Sequence, residues 1–191
     1  MAVVHRTTMN PGKLELLASW LPLQPWYAGR PGRSPELAKA GGFRLDDPEG
    51  EVGIEFMVVT DTADPAAPVT YHVPLTYRDA PLPGGEAALV GTSEHGVLGT
   101  RWIYDGTRDP VLRAQLRALL RGGAVAQAQS ESDAPDLTVL VAPGEDGPAL
   151  SVTRVLNPHA PAAPAATHVT AVWRDRDGTP TRAVFAALRG E

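Results

Sequence analysis

The side chains able to do chemistry in this chain are scattered, and their spacing removes most reaction classes before any fold is considered. Cysteine is absent, which excludes thiol nucleophiles, thiolate metal ligands and disulfides together. The five histidines, His5, His72, His95, His159 and His168, contain no i, i+4 pair and no short ligand spacing, so a histidine metal site has no sequence support. His95 follows Glu94 in TSEHG, where a loop contact is the simpler reading than catalysis. Ser93 and Ser151 stand outside any nucleophile-elbow motif. Neither a G-x-x-x-x-G-K-[ST] loop nor a G-x-G-x-x-G after a strand is present, so there is no recognisable phosphate cradle. Asp175-Arg176-Asp177-Gly178 begins like a calcium loop but lacks the later ligands and the closing glutamate. The acidic group Asp46, Asp47, Glu49 and Glu51 surrounds a predicted turn and reads as solvated. No catalytic residue is assigned, and neither a metal nor a cofactor is expected.

The densest group of distinctive residues is WLPLQPWYAGRPGR, Trp20 to Arg33, with two of the four tryptophans and three of the nineteen prolines. Trp26, Tyr27 and the more distant Trp102 are of the type that stacks on a sugar ring. Burial is the default role of such large aromatics. Arg30 and Arg33 add forked guanidinium donors near by. These five residues are the candidate ligand or partner contacts.

The elements that must carry them follow from local pattern. Asn10 and Pro11 form a helix-start pair, and Leu14, Leu17 and Leu21 make an apolar stripe. Pro22 and Pro25 end the helix near Leu21, since neither can sit in its interior. Before it, Ala2 to Thr7 reads as a short strand. Glu36 to Asp47 includes a strand broken at Gly41-Gly42, a bulge or bend. Val52, Ile54, Phe56 and Val58 alternate as in a half-buried strand. Val69, Tyr71, Val73 and Leu75 repeat the pattern, with Pro74 marking an edge or bulge. Leu89 to Gly91 and Gly96 to Tyr104 are two further strands. Asp109 and Pro110 start a second helix with Val111, Leu112, Leu116, Leu119 and Leu120 on its apolar side, stopped by Gly122-Gly123. Strand-like runs then recur at Leu137 to Ala142, Leu150 to Leu156, His168 to Arg174 and Thr181 to Leu188, while Asn157 to Thr167 is of low complexity. Strands that follow one another without intervening helices give an α+β fold with a mainly antiparallel sheet.

Composition bounds the partners. At 191 residues, one generous domain or two small ones are expected. A net charge of −5 argues against nucleic acid. No run approaches the length of a membrane span, and MAVVHRTTMN lacks a signal-peptide core. A cytoplasmic protein is the expectation.

The segment WLPLQPWYAGRPGR, with the leucine-rich helix before it, resembles the W-L-x-x-Q-R-W-[FY]-x-x-[KR] opening of the maltokinase N-terminal cap domain family. Tyr71 to Arg78, YHVPLTYR, resembles that domain's Y-x-V-P-L strand. Tyr104 to Leu120, YDGTRDPVLRAQLRALL, resembles its strand, Asp-Pro helix start and second helix. The likeness runs from about Lys13 to Gly123, with one departure: Pro25 stands where the family usually has a basic residue. It implies a cystatin-like cap, a curved antiparallel sheet wrapped around the N-terminal helix, with a second helix and added C-terminal strands. The organisation it implies is a cap-like domain over 1–123, a linker or loose tail over 124–135, and a β-rich extension over 136–191. The family's kinase lobes carry an H-x-D motif, and no histidine here is followed two residues on by aspartate. The resemblance therefore implies a stand-alone, non-catalytic cap-like protein of actinobacterial type. It would dock to a kinase, a trehalose synthase or a branching enzyme of maltose, trehalose or α-glucan metabolism. Two alternatives stay open: an α-glucan-binding module using Trp26, Tyr27 and Trp102, and a small enzyme with a cone-shaped pocket, for which Glu94 and His95 would have to converge with other polar groups.

Overall fold

A computed structural model describes residues 9–30, 32–131, 134–158, 160 and 166–190. The strand read at Ala2 to Thr7, together with His5 and His159, lies outside these residues. The described elements are β1 (Met9–Asn10), α1 (Lys13–Trp20), β2 (Leu37–Leu45), β3 (Gly53–Asp61), β4 (Val69–Arg78), β5 (Leu89–His95), β6 (Gly99–Asp105), α2 (Pro110–Leu120), β7 (Gln127–Ala128), β8 (Leu140–Ala142), β9 (Ala149–Val152), β10 (His168–Arg174) and β11 (Pro180–Arg189). The fold is α+β, with two helices on a curved sheet whose paired strands are antiparallel. The strand order is β1-β5-β6-β4-β3-β2-β10-β11-β9, with β7 beside β2 and β8 beside β10.

Curvature brings the far end of this sheet back to its middle. Residues 153–156 run on from β9 and meet the outer edge of β4. The His72 amide donates to the Arg154 carbonyl at 2.9 Å, the Leu156 amide to the Thr70 carbonyl at 2.9 Å, and Val155 bridges Tyr71. Lower on β4, Leu75 to Arg78 pair with β6 instead. Pro74 stands at the change of partner, where a missing N–H costs least. The expected edge strand is thus an interior strand, and proline is tolerated because its outer neighbour is interrupted there.

Two apolar cores lie on opposite faces of β3 and β4. On one, α2 inserts Leu112, Leu116, Leu119 and Leu120 among residues of β2, β3, β10 and β11. The cross-strand pair Phe43 and Phe56 stacks there at 4.5 Å and 8°, with Phe185 at 6.0 Å. On the other, α1 lays Leu17, Trp20 and the following Leu21 on Met57, Val59, Tyr71, Val73 and Ile103. β3 is buried on both faces beyond its first residue, where alternation alone suggested one. An α1 of eight residues would not persist in water by itself. Burial of its three large side chains supplies roughly 1.5–3 kcal/mol each.

Helix starts show one match and one correction. Asp109 caps α2 as expected, its carboxylate accepting the Val111 amide at 2.9 Å with Pro110 at N1. α1 begins two residues later than the Asn10-Pro11 pair suggests. Gly12 is at the cap, and the Glu15 carboxylate accepts its amide at 2.7 Å. Asn10 instead belongs to β1 and pairs with Glu94 of β5, which removes it from a capping role.

The Gly41-Gly42 break is a bulge against β3, with the register shifting between Lys39 and Gly41. Gly42 has φ +134, and a Cβ there would fall 2.3 Å from the Phe56 carbonyl and 2.9 Å from the Gln129 amide. Only glycine lets the bulged strand take this backbone conformation so close to the β3 backbone.

Candidate functional site

The aromatic turn after α1 is fastened inward. Trp26 meets Trp20 edge-on at 5.8 Å and lies 6.0 Å from Tyr71, tilted by 54°. Tyr27 stacks on Tyr71 at 5.6 Å, and its hydroxyl donates to Asp61 at 3.0 Å. The Ala28 amide donates to the Tyr71 hydroxyl at 3.1 Å. Burial, and then the bond and charge of Asp61, push the Tyr27 hydroxyl up to about 12. The phenol therefore stays a donor throughout the physiological range. Arg154 lies over the Trp26 ring at 4.8 Å and donates to Asp105 at 2.5 Å and to Thr107 at 2.6 Å. Arg154 belongs to the same return segment that edges β4, so the chain's C-terminal part helps to clamp the turn.

Of the five candidate contacts, the structure brings two together. Trp26 and Tyr27 share the Tyr71 ring, both half-buried. Trp102 alternates with Ile103 on β6, and Ile103 faces α1, so Trp102 points to the other side of the sheet. Arg30 and Arg33 are exposed, Arg30 lying 3.5 Å from Asp64. These rings do not form a flat side-by-side platform of the sort a sugar would stack on. Glu94 accepts from Thr100 at 2.6 Å and the His95 ring nitrogen accepts the Val97 and Leu98 amides. Both serve the β5–β6 hairpin.

The most concentrated polar chemistry is elsewhere, at Glu55 on the α1 side of β3. Its carboxylate, nearly inaccessible, accepts from Lys13 at 2.6 Å, from Gln129 at 2.7 Å and from the Tyr77 hydroxyl. Burial, the largest influence, pushes this carboxyl up. The charge and bond of Lys13 and the bonds from Tyr77 and Gln129 outweigh it and hold the group below the usual carboxylate range. Burial and the adjacent Glu55 keep Tyr77 protonated well above its ordinary value. Lys39 is pushed down by burial, against the pull of Glu55. The result is an ionised carboxylate with three donors, joining α1, β3, β4 and the stretch after β7. In sequence, Glu55 looked like the solvent-facing member of an alternating strand. The extra layer that α1 lays over it gives no local signal.

A second buried pair fixes α2. Arg78 donates twice to Asp109, at 2.7 and 2.9 Å, and Asp109 is fully buried. Burial pushes its carboxyl up, but the Arg78 bonds and the Val111 amide together hold it low. Among the described residues, no group of three His, Asp or Glu side chains could hold a metal ion. No helix there is long and apolar enough to cross a membrane.

Residues 20–109 match the family described as the maltokinase N-terminal cap domain. The match opens on Trp20, spans the aromatic turn and closes on Asp109. No curated protein matches the chain at a significant level.

Proposed function

We propose that this chain, whose residues 20–109 match the maltokinase N-terminal cap domain family, is a non-catalytic docking cap serving maltose, trehalose or α-glucan metabolism. On this reading it works in the cytoplasm and binds a kinase, a trehalose synthase or a branching enzyme. One observation carries the reading. The residues that identify the family are anchors of the chain's own fold, with Trp20, Trp26 and Tyr27 packed on Tyr71 and Asp61. The polar groups best suited to chemistry are likewise spent internally: Glu55 has three donors and Asp109 has Arg78 and an amide. A cap built this way offers shape and surface to a partner.

The test is affinity purification of the tagged chain from its native host, with the captured proteins identified by mass spectrometry. Enrichment of a maltose-, trehalose- or glucan-acting enzyme is the expected outcome. If no such enzyme is enriched over an unrelated bait, the reading fails.

A further inference from the structure

We propose that the outer ridge of α2 and the hollow at its C-terminal end form a docking face for an acidic protein segment carrying an apolar side chain. This deepens the docking reading above by naming the face and the chemistry of what it receives. Arg113, Arg117 and Arg121 recur at i, i+4 and i+8, so their side chains rise along one ridge, with Arg108 at the turn before the helix. Across 106–123 the one acidic residue is Asp109, which is buried and neutralised by Arg78. In a chain of net charge −5 this ridge is a local positive field.

The guanidinium heads are also held in place. Arg113 donates to the Thr107 carbonyl at 3.2 Å, Arg117 to the Pro148 carbonyl at 2.8 Å, and Arg121 to Asp146 at 3.0 Å. Each guanidinium has five N–H donors, so these anchoring bonds fix its direction and leave further donors for a carboxylate. Carbonyl anchors do not cancel the charge of Arg113 or Arg117. Partly immobilised arginines lose less entropy on pairing than free ones, which favours forked bonds to carboxylates.

At the foot of the ridge lies a hollow of about 410 Å³, walled by Leu120, Val141 and Pro143 and rimmed by Arg121, Asp146 and Thr167. Val141 is exposed there, and Leu140 beside it more so. A ridge of positive charge ending in an apolar hollow suits a segment with carboxylates at one end and an aliphatic or aromatic anchor at the other.

Fluorescence anisotropy on the full chain tests this with a labelled peptide carrying Glu residues at one end and Leu residues at the other. About eight residues are enough to cover the roughly 12 Å from Arg113 to Arg121. One control peptide replaces every Leu by Ser, and another replaces every Glu by Lys. Saturable binding of the Glu–Leu probe is expected, with weakening as salt rises. Arg113→Glu with Arg117→Glu should weaken it by at least about tenfold. Arg113→Lys with Arg117→Lys, which keeps charge and loses the fork, should weaken it less. Val141→Ser, which removes apolar surface without adding charge, should weaken the Glu–Leu probe and leave the Glu–Ser control unchanged. Thermal melts establish that each variant is folded. Absence of saturable binding, equal binding of the Glu–Ser control, or indifference to the paired Glu substitutions would overturn the proposal. A null result here beside an enriched pathway enzyme in the host purification would reject this face and leave the docking reading standing.

Discussion

The two buried faces of β3 are held by different physics. Toward α2, Ile54, Phe56 and Val58 sit in an apolar core closed by aromatic stacking. His72 enters that core with its Nδ1 bonded to the Thr153 carbonyl at 2.9 Å and its Nε2 without a partner. Toward α1, Glu55 and Asp61 bracket Met57 and Val59, and both carboxylates are supplied with donors. Close packing is tolerant in direction and costly to lose. Hydrogen-bonded charge contributes less to net stability and fixes which segment lies where. Both faces carry an apolar core, and on the α1 side the bonded carboxylates of β3 add the orientation of the helix and the aromatic turn.

Substitutions that act on one face at a time separate the two. Phe56→Ala should be the most damaging, by about 3–5 kcal/mol in denaturant unfolding, since it removes a ring stacked on Phe43. Its effect should raise hydrogen exchange throughout the sheet. A loss under about 1 kcal/mol would show that this core is looser than described.

His72 predicts a pH dependence specific to the α2 side. Burial, opposed by the Thr153 bond and aided by the charge of Arg154, pushes the imidazole down to about 3 from an ordinary 6.5. The unfolded chain binds the proton first as pH falls. Stability is therefore complete above about pH 6.5 and is lost as pH drops from there toward 3. Between pH 6.5 and 4.5 the wild type should lose about 2–3 kcal/mol more than His72→Leu. Parallel pH profiles for the two proteins would contradict this assignment.

On the α1 side, Glu55→Gln should cost about 2 kcal/mol, less than a fully buried pair because Lys13 can rehydrate. The signature is local, with faster exchange in α1 and little change in β11. Tyr27→Phe should cost only about 1 kcal/mol, since it deletes one bond to Asp61 and leaves two amide donors there. Equal losses across the whole fold from either change would erase the distinction between the faces.

What could be read from sequence was whatever depends on near neighbours. The Asp109-Pro110 start and the Gly41-Gly42 bulge are local signals and appear in place, while the alternation from Val52 to Val58 marks the strand and one of its buried faces but not the second. The start of α1 is two residues later than the local pattern suggests because β5 competes for Asn10. Pro74 marks an edge or a bulge in sequence terms, because the return of residues 153–156 to β4 depends on contacts some eighty residues apart. Trp26 and Tyr27 were conspicuous, but their anchoring to Tyr71, Asp61 and Arg154 was hidden for the same reason. Glu55 reads in sequence as a solvent-facing strand residue, because its donors Lys13, Tyr77 and Gln129 are distant in the chain.

The aromatic turn clamps this fold through Tyr71, Asp61 and Arg154, a role that leaves it unsuited to stacking on glucan. Intrinsic tryptophan fluorescence of the purified chain, titrated with maltoheptaose and with glycogen, tests it most directly. Trp26 is already packed by Trp20, Tyr71 and Arg154, so the account predicts no saturable change in emission. A saturable change that disappears in Trp26→Ala, in a variant shown to remain folded, would contradict it.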